Sequence, residues 1–463
     1  MTTVQKKFAT RIKLVLFLAA LLLATLAYSG APEDLGEGSR RMVFIFVFAL
    51  VMWVTEAIPL FATSLFVIGM TSWWVSLPEA VSPNMAYTDV FHAFSSPVIF
   101  LFLGGFILAS AVQKQKIDMQ MAGLLLRAFG TRPAMVLFGV MAITAIFSMW
   151  MSNTATTAMM IVLIQPFLAQ LPETERYRKG LILAIPFAAN IGGVGTPIGT
   201  PPNAIALGQL ADRGLHISFV QWMLFGVPLV LLALLAMWGA LYVCFRPHRD
   251  TPALSIDQKF KLHRDAKVVY ATFLVTVGLW LTSTWHGVPT AVVALLPAVL
   301  LTMTGIINKD DFNRLEWNIL VLIAGGIALG DGMVSTGVDS WIVSRLPLEG
   351  TSIRVLGATL AATAMVLSTV MSHTVATNLL LPIGLAAAAI TGDNTDIQVV
   401  AILCAVLSSF AMGLPISTPP NAIAYSTGQI SSRDMLLVGG LTSVLATLVV
   451  IVTGPFVIRI FLG

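Results

Sequence analysis

Charge is what this chain lacks most. Of its 463 residues only 10% are Asp, Glu, Lys or Arg, and 57% are hydrophobic. A soluble globular domain carries roughly 25% charged residues, so that class is excluded. Uncharged stretches of about 20 to 30 residues recur from end to end, and a membrane helix needs ~20. The fold class is therefore an all-α polytopic membrane protein. Cysteine is nearly absent: Cys244 and Cys404 sit alone in apolar segments with no C-x-x-C partner, which leaves no metal or redox signature. HExxH, G-x-S-x-G and a paired-carboxylate motif are also missing, so no enzyme is expected. No A-x-A-like site follows Leu14–Tyr28; this stretch reads as a first membrane helix behind the basic tail Lys6, Lys7, Arg11 and Lys13. The net charge of +4 invites a nucleic-acid partner. None is expected, because the basic residues sit in short loops where membrane topology explains them.

What is present is written twice. Gly195–Ala206 reads GTPIGTPPNAIA and Gly413–Ala424 reads GLPISTPPNAIA, identical at ten of twelve positions and 218 residues apart. Ser152-Asn153-Thr154 precedes the first copy and Ser372-His373-Thr374 the second, 220 apart. Gly104-Gly105 and Gly325-Gly326 form a third pair, 221 apart. A near-constant offset across three motifs marks a duplication.

Apolar runs predict helices near 14–30, 42–58, 59–78, 95–113, 219–245, 267–285, 288–307, 316–336 and 435–461. Regions 133–170 and 353–390 carry the Ser-Asn-Thr and Ser-His-Thr motifs at mid-length. Each is read as a re-entrant hairpin of two half-length helices with the motif at its tip. With the N-terminus inside and each hairpin returning to its side of entry, about eleven transmembrane helices follow. All but six of the 26 basic residues then lie inside; the six are Arg40, Arg41, Arg213, Arg345, Arg354 and Arg459. That is a strong positive-inside bias. Five crossings separate the hairpins, so they enter from opposite sides, as in the inverted-topology repeats of many secondary transporters. Residues 246–267, with Pro247 and Pro252, read as a cytoplasmic linker, and the C-terminus falls outside.

The repeated segments carry the chemistry. Irregular backbone at membrane depth is tolerated only where it lines a protein-buried cavity. Pro201-Pro202 and Pro419-Pro420 each forbid a continuous helix, so helices must break before them and restart, with Asn203 and Asn421 placed to bond the freed backbone groups. Ser, Thr and Asn at a hairpin tip cap a helix whose N-terminus faces an anion, while carbonyls freed at the breaks suit small hard cations. Neither the tips nor the breaks contain Lys or Arg. An anion there needs helix termini, cations or a protonated histidine, which makes the intramembrane His373 a functional candidate. Glu56 and His286 lie near predicted helix ends and read as interface or structural groups; Asp331, nearer mid-span, is left open.

These motifs resemble the divalent anion/sodium symporter family, the di- and tricarboxylate transporters. The resemblance rests on Ser152-Asn153-Thr154 with Thr200-Pro201-Pro202-Asn203, on Ser372-His373-Thr374 with Thr418-Pro419-Pro420-Asn421, and on Thr55-Glu56-Ala57-Ile58-Pro59 near the N-terminus. It implies an elevator-type homodimer in the inner (plasma) membrane, surrounded by lipid. A scaffold would comprise residues 1–130 and 267–350, a moving transport domain 131–245 and 351–463, with 246–266 the linker. It implies substrate contacts at Ser152, Asn153, Thr154, Thr200, Ser372, His373, Thr374 and Thr418. One Na+ site would use Ser148, Ser152, Asn153 and Gly199, and a second Ser368, Ser372, His373 and Ser417. The one departure is His373, where the family has Asn and therefore a carbonyl oxygen that imidazole lacks. The implied activity is sodium-coupled import of C4-dicarboxylates such as succinate, malate and fumarate. The alternative is a sodium-independent exchanger, or a phosphate or sulfate carrier, on the same fold.

Overall fold

Prolines, glycines and small hydroxyl residues decide where the helices of this chain stop. The computed structural model describes residues 3–77, 85–247, 263–345, 352–390 and 392–462. Most of the expected linker, including Arg249, Pro252, Lys259 and Lys261, lies outside the described residues. Among the described residues there is no strand, and seven helices are long and apolar enough to cross a membrane.

The first half opens with α1 (Thr3–Gly30) and α2 (Glu37–Thr55). α2 stops three residues before the predicted end because Glu56 adopts a left-handed conformation, φ 48°, ahead of Pro59. α3 (Leu60–Met70) runs on through a π-helical turn to Ser76. α4 (Tyr87–Ser95) and α5 (Pro97–Lys114) are separated by a break at Ser96, whose conformation the following proline imposes. The short α6 (Ile117–Leu126) was not among the expected helices. The first hairpin is α7 (Pro133–Ser148) and α8 (Asn153–Leu168). The first broken helix is α9 (Arg176–Gly192) and α10 (Pro201–Ala211), and α11 (Phe219–Cys244) closes the half.

The second half repeats this order. α12 (Arg264–Leu281), the short α13 (Ser283–His286) and α14 (Thr290–Met303) lead to the five-residue α15 (Lys309–Asn313) and to α16 (Trp317–Thr336). After α17 (Val338–Ser344) comes the second hairpin, α18 (Ile353–Val370) and α19 (His373–Ala389). The second broken helix is α20 (Asn394–Ser408) and α21 (Pro419–Ser426). The three-residue α22 (Ser432–Asp434) and a π turn then enter α23 (Gly440–Leu462).

Both hairpins form with their motifs at the tips, but their arms are longer than half-length. They run 16 to 18 residues, about 24–27 Å at 1.5 Å per residue. The turns consume so few residues that nearly all of each apolar run stays helical.

The two halves interlock reciprocally. α10 packs on α19 and α20 of the other half, and α21 packs on α8 and α9. Each half-helix that follows a Thr-Pro-Pro-Asn break is thus packed against the opposite repeat. The glycine pairs explain themselves at the same level. A Cβ on Gly104 would stand 2.8 Å from the Ala294 carbonyl carbon in α14 and closer still to its oxygen, and one on Gly325 would stand 2.7 Å from Ser64 Cα in α3. The second glycine of each pair faces the opposite way: Gly105 meets Ile198 in the first break and Gly326 meets Asn378 in α19. Small residues let backbones approach where lipid provides no hydrophobic drive between helices. The α5 and α16 glycines serve this purpose on two sides at once.

Candidate functional site

Four helix N-termini converge on one cavity of about 220 Å³. Ser152, Asn153 and Thr154 bring the start of α8, and Ser372, His373 and Thr374 bring the start of α19. Thr200 and Pro201 supply the start of α10, and Thr418, Pro419 and Pro420 that of α21. All eight residues expected to meet substrate therefore line one space.

The four termini are not chemically equal. Ser152 Oγ accepts the Ala155 N–H at 3.4 Å and Ser372 Oγ accepts the Val375 N–H at 3.3 Å. These caps leave first-turn N–H groups of α8 and α19 without an intrahelical acceptor. α10 and α21 begin with two prolines each and have no N–H at those positions. They contribute dipole ends and the Thr200 and Thr418 hydroxyls instead. An anion entering the cavity meets positive helix ends from two repeats.

The broken segments are held open by the two asparagines that follow them. Asn203 Nδ2 donates to Gly193 O at 3.1 Å, Val194 O at 3.5 Å and Thr196 O at 2.8 Å. Asn421 Nδ2 donates to Leu414 O at 2.9 Å. Asn190, missed in the sequence, stitches the repeats together: its Nδ2 donates to Thr418 Oγ1 at 3.2 Å and Asn421 Oδ1 at 3.3 Å. A fully buried amide inside an otherwise apolar helix was the signal available for it. Each tip is also tied to its own break. Thr196 Oγ1 donates to Met149 O, and Ser417 Oγ donates to Thr369 O at 2.6 Å; Met149 and Thr369 each lie three residues before the tip serine.

Oxygen atoms gather beside the first tip. Ser148 Oγ lies 2.6 Å from Asn153 Oδ1 and 2.8 Å from Ala189 O. A Cβ on Gly193 would fall 2.6 Å from Asn153 Oδ1 and 2.9 Å from Gly199 O, so only glycine leaves room there. Ser148, Asn153, Gly193 and Gly199 form an all-oxygen donor set, which suits a small hard cation. Ser148, Asn153 and Gly199 belong to the expected set, Ser152 caps the adjoining helix instead, and Gly193 was not among those expected.

The second tip is different. His373 Nε2 lies 3.3 Å from Ala411 O, and Ala411 is the duplicate of Gly193 at the 218-residue offset. An imidazole nitrogen thus engages the carbonyl that belongs to the cation-facing set in the first repeat. Ser368 Oγ is buried without a hydrogen-bond partner, and Ser417 Oγ is spent on Thr369. This set fits sodium less well than the first.

Leu60, Phe102, Phe106, Asn318 and Ile319 also line the cavity, as does Glu316, which the sequence did not single out. His286, by contrast, is exposed, with ring contacts to Leu279 O and Val288 N. Asp331 lies outside the cavity.

Comparisons with known proteins place the chain among membrane transporters. The citrate transporter family model matches residues 50–406. The chain is 31% identical to a sodium-dependent dicarboxylate transporter, SdcS, of Staphylococcus saprophyticus, over 97% of this chain and 92% of that one. It is 30% identical to SdcS of Staphylococcus aureus, over 99% and 94%. In fold it is similar to the YdaH transporter of Alcanivorax borkumensis, with a TM-score of 0.59 and 14% identity, over 91% of this chain and 98% of that one. By its family match, its full-length relatives and its duplicated tips and breaks, the chain belongs to the divalent anion/sodium symporter family of membrane transporters.

Proposed function

We propose that this protein imports C4-dicarboxylates such as succinate, malate and fumarate across the plasma membrane, coupled to sodium, by an elevator movement. The observation that carries this reading is the convergence of four helix N-termini on a cavity with no Lys or Arg in its lining. Such a site holds an anion by dipoles, N–H groups and hydroxyls, and needs a cation close by to complete the charge balance. The names of the Staphylococcus relatives, sodium-dependent dicarboxylate transporters, support the same substrate and ion.

In this reading Ser148, Asn153, Gly193 and Gly199 hold one sodium ion, whose positive charge stands beside the substrate carboxylate. Asn153 and Thr154 meet that carboxylate at the first tip, with Ser152 capping the helix behind them. Thr200 and Thr418 offer hydroxyls from the breaks, and Ser372, His373 and Thr374 receive the other carboxylate at the second tip. Residues 1–130 and 267–350 form the fixed scaffold and dimer contact, and the hairpins and broken helices form the moving part.

The contact between His373 and Ala411 favours a second reading, in which the imidazole N–H stands in for one of two cations. Uptake of labelled succinate into proteoliposomes tests both. Accumulation driven by an inward sodium gradient is expected; accumulation that ignores sodium and demands internal counter-anion would establish exchange instead. His373→Asn restores an amide oxygen at the second tip and is expected to steepen the sodium dependence of uptake. An unchanged sodium response would rule out a cation-replacing role for His373.

A further inference from the structure

The cavity poses an electrostatic problem. Apart from His373, the single ionisable side chain in its lining is an acid, Glu316. A site built to hold a dianion would gain nothing from a carboxylate placed among its ligands, since like charges at close range in a partly dry site repel strongly.

The position of Glu316 sharpens the problem. It stands at the N-cap of α16, where an acidic side chain could accept a first-turn N–H of its own helix. It makes no such bond. Its side chain instead lines the same two recesses as Ser152, the cap of α8 at the first hairpin tip. Its second oxygen, Oε2, is buried without a partner, although a carboxylate oxygen readily accepts two hydrogen bonds. Arg314, two residues away, lines an adjoining recess of about 120 Å³ together with Ser152 and Glu316. It forms no ion pair with Glu316 within 4.0 Å. The carboxylate thus gives up its own helix and turns to the tip of another element.

Ser152 can serve both neighbours. Its Oγ accepts the Ala155 N–H, leaving its O–H free to turn toward Glu316 across the recess they share. Immediately beyond lie the first-turn N–H groups of α8, which the proposed function assigns to a substrate carboxylate. Glu316 therefore stands at the edge of the place where the substrate's own carboxylate would bind.

We propose that Glu316 is a tethered stand-in for the substrate: in the empty carrier its carboxylate engages the first hairpin tip through Ser152, ties that tip to the α15–α16 corner, and is displaced by an incoming dianion. This rests on the anion-carrying reading above and on the assignment of 267–350 to the scaffold. Two consequences follow. Substrate binding must expel a competing carboxylate, so Glu316 raises the KM for dianions. Return of the empty carrier must break the tie between tip and scaffold, so Glu316 slows net uptake more than exchange, in which the carrier never travels empty.

The experiment compares wild type, Glu316→Gln and Glu316→Asp in proteoliposomes. Labelled succinate uptake is measured into empty vesicles for net transport and into succinate-loaded vesicles for exchange. Glu316→Gln removes the charge and is expected to lower the KM about tenfold and to raise the ratio of net to exchange rate severalfold. Glu316→Asp keeps the charge but is one methylene shorter, withdrawing from Ser152. It is expected to raise the net-to-exchange ratio as Gln does, while lowering KM less. Unchanged KM and ratio in Glu316→Gln would overturn the proposal and leave the proposed function standing. Loss of transport in both variants, each monodisperse in detergent, would make Glu316 a required ligand and also overturn it. A wild type that neither takes up nor exchanges succinate would overturn both readings, so the two failures are told apart by the wild-type control.

Discussion

Asn203 and Asn421 occupy the same position in the duplicated sequence, yet the structure gives them unequal work. In Asn203→Ala three carbonyls lose a donor. Val194 O keeps the Trp222 indole N–H at 2.9 Å and Thr196 O keeps the Gly199 N–H at 3.3 Å, so Gly193 O is the buried carbonyl left orphaned. Each orphaned buried acceptor costs roughly 1–3 kcal/mol. Asn203 Oδ1 is itself buried without a partner, and its removal returns part of that cost; with the weaker bond lost at Thr196 O, a net loss of about 1–3 kcal/mol remains. In Asn421→Ala Leu414 O loses the amide but keeps the Ser417 N–H at 3.2 Å, and Asn190 Nδ2 still reaches Thr418; about 0.5–1.5 kcal/mol is expected, the net worth of one hydrogen bond. Thermal unfolding in detergent should therefore rank wild type above Asn421→Ala and Asn421→Ala above Asn203→Ala. Gly193 O also belongs to the proposed cation set, so the stabilisation that added sodium gives should shrink in Asn203→Ala more than in Asn421→Ala. Equal melting temperatures in the two variants, or the reverse order, would refute this account of the breaks.

Two further predictions concern packing and charge. Gly104→Ala drives a methyl into the Ala294 carbonyl, 2.8 Å from its carbon and closer to its oxygen, and should destabilise by about 1–3 kcal/mol. Gly357→Ala, whose methyl would meet Leu403 and Val400 at 3.6 Å, should be neutral or stabilise by up to ~1 kcal/mol; similar melting points for the two would count against the interface. Lys114 Nζ donates to Asp311 Oδ2 and to Ile306 O at 2.8 Å, and the Lys114 hydrogen bond holds the Asp311 carboxyl below the usual carboxylate range. A lowered folded-state value stabilises above the unfolded one and is lost as pH falls through it. Asp311→Asn should lower the melting temperature slightly near neutrality and lose that difference in acid; a difference that persists at low pH would show that the ion pair is not its source.

The parts of this architecture that were legible share one property: they are local. Two consecutive prolines forbid a helix whatever surrounds them, so the breaks before Pro201 and Pro419 could be placed from sequence. Ser152 and Ser372 could be read as caps because capping involves only the next turn. The end of α2 was missed because Glu56 takes a left-handed conformation that its residue type does not announce. Other features depend on contacts between residues distant along the chain. The exchange of α10 and α21 between repeats, the link from Asn190 to Thr418 and Asn421, and the direction of the Glu316 side chain are of this kind. The duplication also invites an expectation of symmetry. Asn153 against His373 was visible as a substitution, but its consequence required knowing that Ala411 O stands where Gly193 O does.

The interlock of the halves bears on how the site could change its exposure. A rocking of one repeat against the other would have to strip α10 from α19 and α20, and α21 from α8 and α9. It would also break Asn190 from its partners across the repeats, Arg178 from Gln429 at 3.0 Å, and Lys179 from Asp434 at 2.9 Å. Moving both hairpins and both broken helices together keeps all of these and shears the glycine-faced surfaces of α5 and α16 instead. A pair of cross-links separates the two modes, on a background with Cys244 and Cys404 replaced by serine. Joining Arg178→Cys to Gln429→Cys with a thiol-reactive linker ties the repeats together and should leave succinate uptake within about twofold of the unlinked protein, because elevator motion carries both repeats as one body. Joining Trp150→Cys to Phe273→Cys, whose native rings lie 5.8 Å apart, fastens the first hairpin tip to α12 and should stop uptake until the linker is cleaved. If the first cross-link stops transport and the second does not, the repeats move against each other and the elevator reading is wrong.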